Sequence, residues 1–212
     1  MSSQTIAVET TVTNDGPTVV GVDLGVKRLL VAAPADAGPD IVDTLTVGGG
    51  VERALYNALG DTLNRLDGQH ADTIDAEHQT VERYRSLLRQ RFVLAAASLV
   101  EYADRVGADT IALEKLDERA GTLAECARGQ TKAGAWVLPA FRDHLESTLA
   151  AEGYSVEHVD ARYTTQRCHC CGELADVSRA TITCETDDCP VETVCRDQSA
   201  AVTIAKRAAV TG

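Results

Sequence analysis

From residue 18 onward, short apolar runs alternate with Gly, Pro and charged punctuation, and the period of the apolar positions changes along the chain. Residues 18–24, 28–33 and 40–47 are short, largely apolar and bounded by Gly and Pro turns, so they read as three consecutive strands and predict an antiparallel meander. After Gly48-Gly49-Gly50 the period lengthens, and residues 51–66 fit a helix. Within 76–106, Val81, Tyr84, Leu88, Phe92, Ala95, Leu99, Tyr102 and Val106 step by three and four. That spacing lays one apolar stripe along a long helix, which Gly107 is suited to end. Residues 109–114 predict a fourth strand, 136–152 a helix ending near Gly153, and 154–159 a fifth strand. A last helix spans 197–209, with Ala200, Ala201, Ile204 and Ala208 on its apolar side. Residues 1–17 are polar, end in Asn14-Asp15-Gly16-Pro17 and read as an arm before the first strand. The order βββ-α-α-β-α-β-α, with a cysteine-rich stretch before the final helix, defines an α/β chain.

Composition narrows the class. At 212 residues with 44% hydrophobic and 25% charged, the chain has room for one large domain and a small module, and is not compositionally disordered. The longest apolar run, residues 92–100 with Ser98 inside it, falls far short of the roughly 20 residues that cross a bilayer. With a polar N-terminus unlike a signal peptide, the expectation is a cytoplasmic protein with no membrane partner. Twenty basic against 32 acidic residues leave a net charge of -12, which opposes nucleic acid at long range. Only four of the basic residues are Lys (Lys27, Lys115, Lys132, Lys206), and acid is spread along the whole chain. That pattern suggests a halophile, in whose cytoplasm a Debye length of about 3 Å at 1 M salt makes acidity compatible with DNA or RNA.

Three carboxylates stand where chemistry is expected. Asp23 lies in Val19-Val20-Gly21-Val22-Asp23-Leu24-Gly25, where alternation sets Val20, Val22 and Leu24 on one face and Asp23 on the other. Among such neighbours a carboxylate is costly unless paired or bound to a cation, the alternative being a turn cap that uses Gly25. Glu114 closes Thr110-Ile111-Ala112-Leu113, and is either a solvated strand end or a second inward acid. Asp197, at the start of the last helix, is by itself most simply an N-cap. If the first and fourth strands are neighbours, the three converge. Converging carboxylates need cations, and oxygen-only ligands suit Mg²⁺ or Mn²⁺. A pair of such ions about 4 Å apart hydrolyses phosphodiesters.

Six of the seven cysteines lie between Cys168 and Cys195, and only Cys126 stands apart. Without an export signal, metal ligation explains them better than disulfides. Cys168 and Cys171 form a C-x2-C knuckle, and Cys184 and Cys189 a wider second pair. Four thiolates in a tetrahedron make a closed, structural Zn²⁺ site. Cys170, His169 and Cys195 remain possible substitutes, and Cys195 is alternatively a simple buried thiol.

Taken together, Gly21-Val22-Asp23-Leu24-Gly25-Val26-Lys27, Ile111-Ala112-Leu113-Glu114-Lys115-Leu116, Thr164-Thr165-Gln166-Arg167-Cys168 with Cys171-Gly172, and Arg196-Asp197-Gln198-Ser199-Ala200-Ala201 resemble the C-terminal half of transposon-encoded TnpB (OrfB) proteins. The resemblance implies an RNase H-like (RuvC-type) mixed sheet flanked by helices over 18–163 and 191–212, with a zinc ribbon inserted at 164–190. It implies Asp23, Glu114 and Asp197 as catalytic acids, and Cys168, Cys171, Cys184 and Cys189 on zinc. It further implies a metal-dependent DNA endonuclease of the class described as transposases, related to type V CRISPR effectors, with DNA as substrate and a guide RNA as partner. The family carries a sizeable N-terminal region for guide and target recognition, where this chain has residues 1–17. Pro190 follows the wide second knuckle, and Ser199 stands where the family often has Asn. The alternative is a truncated or repurposed, catalytically silent zinc-ribbon protein that binds nucleic acid, and a third reading is a dimeric Holliday-junction resolvase-like enzyme. Arg83, Arg85, Arg89 and Arg91 are expected to form a solvated helix face rather than a phosphate site, and Trp136 a core anchor. His70, His78, His144 and His158 are assigned no role.

Overall fold

The computed structural model describes residues 18–66, 73–118 and 120–211, so the arm at 1–17 and His70 lie outside the described residues. Thirteen elements follow one another: β1 (Val19–Leu24), β2 (Arg28–Pro34), β3 (Leu45–Gly48), α1 (Gly50–Leu66), α2 (Thr73–Val106), β4 (Thr110–Glu114), α3 (Leu123–Arg128), α4 (Gly134–Ala151), β5 (Ser155–Val159), β6 (Asp176–Val177), β7 (Thr181–Thr183), β8 (Thr193–Cys195) and α5 (Arg196–Thr211). The main sheet has the order β3-β2-β1-β4-β5. Its first three strands form the expected antiparallel meander, while β4 runs parallel to β1 and β5 parallel to β4. This is the RNase H-like arrangement, a mixed sheet in which the first strand is central and the fourth is its neighbour.

Both faces of the sheet are covered. On one side Val20, Val22, Leu24, Leu30, Ile111 and Leu113 pack with the apolar stripes of α1, α2 and α4, through Tyr56, Leu59, Leu88, Phe92, Leu99 and Phe141. On the other side α5 lies across β1 and β2, burying Ala201, Val202, Ile204 and Ala205. Every residue of β1 is therefore buried, including those of the face that carries Asp23. Gly21 makes the close approach possible, since a Cβ there would stand 2.1 Å from the Ala201 carbonyl oxygen and 2.4 Å from the Ala205 nitrogen.

Two local expectations are corrected, and one element is added. The third strand was expected over 40–47 but is only Leu45–Gly48, because the chain leaving Pro39 turns through Ile41, whose φ of 44° breaks extension and whose side chain packs with the α5 cluster. The last helix starts at Arg196, so Asp197 belongs to its first turn and is not the residue before it. An unforeseen helix, α3, is opened by a capping box in which Thr122 and Glu125 bond each other's backbone N–H groups. Trp136 is buried in the core as expected. Of the α2 arginines, Arg85 pairs with Glu82 and Arg91 with the buried Glu52.

Candidate metal centres: a carboxylate cluster and a cysteine quartet

The β1–β4 register pairs Val22 with Leu113, which sets the next residues, Asp23 and Glu114, side by side at the carboxyl ends of two adjacent parallel strands. In-register neighbours in a sheet point to the same face, and here that face is the one covered by α5. The first turn of α5 brings Asp197 to the same place. The proximity is electrostatic as well as topological. Asp23 has its pKa raised from 3.8 to about 7, first by burial, then by the negative charges of Glu114 and Asp197. Glu114 is also pushed upward by burial, against the hydrogen bond it accepts from the buried Thr164 hydroxyl and the charge of Arg207. The structure thus brings the three acids together.

Asp197 has company that the sequence did not announce. Arg28 Nη1 donates to its Oδ2 at 2.7 Å, and the Arg196 side chain reaches its Oδ1 at 3.1 Å. Arg28 also lies 3.2 Å from Cys195 Sγ, so Cys195 faces the acid cluster rather than the other cysteines. Neither arginine follows a spacing rule; what unites them is that β2 and the α5 start flank β1 at its carboxyl end. The donor set suits a hard divalent cation, since a buried carboxylate whose ionisation is suppressed by two others is relieved by positive charge. The three do not gather within 4.8 Å of one another as the cysteines do.

The second centre is closed. Among the described residues, Cys168, Cys171, Cys184 and Cys189 are the group whose ligand atoms all lie within 4.8 Å of one another. Cys168 and Cys189 sulfurs are 3.8 Å apart, and those of Cys171 and Cys184 3.6 Å. The first knuckle is turned by Gly172, at φ 78°, whose N–H donates to Cys168 O. In the wider second knuckle Asp188 takes φ 63° and the Cys189 N–H returns to Thr186 O, which draws the two thiols together despite four intervening residues. Behind them stands a small sheet of order β6-β7-β8. Four sulfurs at such spacing fit a tetrahedral zinc-type site. Of the possible substitutes, Cys195 faces Arg28, and His169 points away into the core, where it is 3% exposed.

A mixed sheet with β1 central, an acid cluster at its carboxyl end and a cysteine-rich insertion before the last helix make up an RNase H-like fold. Residues 139–204 match the family described as Cas12f1-like, TNB domain. No curated protein matches the chain. In structure it is similar to Cas12f1 in a cryo-EM complex with sgRNA and target DNA, with a TM-score of 0.66 at 16% identity over 89% of this chain and 49% of that one. A CRISPR-Cas12f ternary complex gives 0.64 at 16% identity over 90% and 39% of the two chains. The mini-RNA-guided endonuclease CRISPR-Cas_phi3 gives 0.52 at 13% identity over 92% and 45%. The chain spans about half or less of the length of these structures. Both the matched segment and the shared fold bear out the resemblance to TnpB-related nucleases drawn from the motifs. No helix among the described residues is long and apolar enough to cross a membrane.

Proposed function

We propose that this chain is the RuvC-type catalytic part of a TnpB- or Cas12f-like DNA endonuclease, of the class described as transposases. The single observation that carries this reading is the meeting of Asp23, Glu114 and Asp197, from β1, β4 and α5, in a cluster where burial and the charges of Glu114 and Asp197 suppress the ionisation of Asp23. In this reading the three acids hold Mg²⁺ or Mn²⁺, and Cys168, Cys171, Cys184 and Cys189 hold a structural Zn²⁺. The divalent ions, when bound, supply an activated water and stabilise the leaving oxygen of a phosphodiester. The protein's own part is positional. Thr164 fixes one Glu114 oxygen, Arg196 reaches one Asp197 oxygen while Arg28 holds the other, and the raised pKa of Asp23, about 7, makes its carboxylate one that a cation would relieve.

DNA is the substrate in this proposal, and a guide RNA the partner, as in the complexes of the similar structures. The nuclease domain covers 18–163 and 191–212, the zinc ribbon 164–190, and the acidic surface reflects a salt-rich cytoplasm. The test is cleavage of single-stranded and duplex DNA with Mg²⁺, with and without RNA copurified from the source cell. Metal-dependent cleavage that disappears in Glu114→Gln supports the endonuclease. Binding without cleavage supports the silent nucleic-acid-binding alternative.

A further inference from the structure

His169 lies inside the first knuckle, between the ligand Cys168 and the exposed Cys170, yet it is one of the more deeply buried polar side chains in the protein, at 3% exposed. A polar side chain so deeply buried is retained when its hydrogen bonds are met. Nε2 lies 3.3 Å from the Gly38 carbonyl oxygen, in the turn after β2, and Nδ1 lies 3.3 Å from Ser199 Oγ, in the first turn of α5. Because a carbonyl only accepts, Nε2 carries the proton, and Nδ1 faces the Ser199 hydroxyl. The backbone oxygen of His169 is itself held by Lys206 Nζ at 2.7 Å, two turns along α5. Ser199 Oγ also lies 3.4 Å from Arg167 O, at the other edge of the knuckle. The ring is thus a bolt driven from the cysteine site into the seam between the β2 turn and α5, and it ends two residues from Asp197.

We propose that His169 is a positioning residue that couples the cysteine metal site to the carboxylate site. A metal on Cys168 and Cys171 fixes the knuckle, the knuckle fixes the imidazole, and the imidazole fixes the first turn of α5 and with it Asp197. Loss of the cysteine-bound metal therefore loosens the acid cluster from a distance, without any of its ligands being touched. The coupling rests on reading both clusters as metal sites.

Two readouts on the full chain separate its failure from the failure of that reading. The first is hydrogen exchange at residues 196–200. Wild type with its zinc is expected to be protected there, and zinc removal to speed exchange by roughly tenfold or more. In His169→Ala the same acceleration appears with zinc still bound at one per chain, while residues 203–208 keep wild-type protection, and His169→Gln restores part of it through its amide N–H. Ser199→Ala, which cuts the bolt at the α5 end and leaves the four cysteine ligands in place, produces the same local change. The second readout is Mn²⁺ affinity, expected to fall roughly tenfold in His169→Ala with zinc retained. Wild-type protection at 196–200 in zinc-loaded His169→Ala overturns the coupling. Mn²⁺ binding that does not respond to Asp23→Asn overturns the carboxylate site instead, and the exchange measurement still decides the coupling.

Discussion

Arg28 Nη1 sits 2.7 Å from Asp197 Oδ2, so a strand on the far side of β1 supplies a resident cation to the third acid of the cluster. The guanidinium and a divalent ion compete for the same carboxylate. With the Arg28 side chain 38% exposed, the ion pair is screened and its strength is modest. Replacing Arg28 with Ala is expected to tighten Mn²⁺ binding by roughly two- to fivefold. Calorimetric titration measures this, and unchanged or weaker binding would show that Arg28 helps the ions rather than rivals them.

Asp23 makes the metal-free protein sensitive to pH in a defined direction. Its folded pKa is raised from 3.8 to about 7 by burial and by its two acidic neighbours. Between those values the folded chain keeps a proton that the unfolded chain has released, so stability falls as pH rises through this window and the full cost is present above about pH 7. Asp23→Asn removes that cost. The variant is expected to be more stable than wild type at pH 8 by about 2 to 4 kcal/mol without divalent ions, and no more stable at pH 3. Denaturant melts at the two pH values check the sign. Divalent-ion affinity of the wild type rises over the same window, because the ions need the ionised carboxylate.

Gly21 sets how closely α5 approaches β1. A methyl group there would stand 2.1 Å from the Ala201 carbonyl oxygen, a backbone atom that moves only if the helix does. Gly21→Ala is expected to cost at least about 3 kcal/mol, or to prevent folding, and to release Asp197 from Asp23. Thermal melting reads the first effect. A melting temperature within a degree or two of wild type would mean that α5 is not seated as described.

The cysteines divide sharply. Cys184→Ser is expected to abolish tight metal binding at the quartet, whereas Cys170→Ser and Cys195→Ser keep one zinc per chain, since neither sulfur belongs to the group within 4.8 Å. Elemental analysis of protein purified without chelators distinguishes them.

Much of the fold was legible because its elements announce themselves locally. The three- and four-residue steps from Val81 to Val106 are realised in α2, and the turn signals around Gly25 and Pro34 delimit the meander. Strand pairing is not local, and only the structure shows β4 beside β1, the contact that turns Asp23 and Glu114 from separate strand ends into neighbours. Helix α3 carries a capping signal in Thr122 and Glu125, but its six residues are too few to show an apolar period. Arg28, Thr164 and His169 could not be read as partners of the two sites, because each meets its partner over more than 25 residues of sequence separation, through packing that no spacing rule encodes.

The central claim is that three acids far apart in the chain form one divalent-cation site. Titrating Mn²⁺ into the zinc-loaded full chain, followed by electron paramagnetic resonance or calorimetry, tests it directly. Saturable binding that is lost or severely weakened in each of Asp23→Asn, Glu114→Gln and Asp197→Asn, with the zinc content unchanged, is the predicted result. Absence of binding in the wild type, or binding indifferent to these three substitutions, would contradict it.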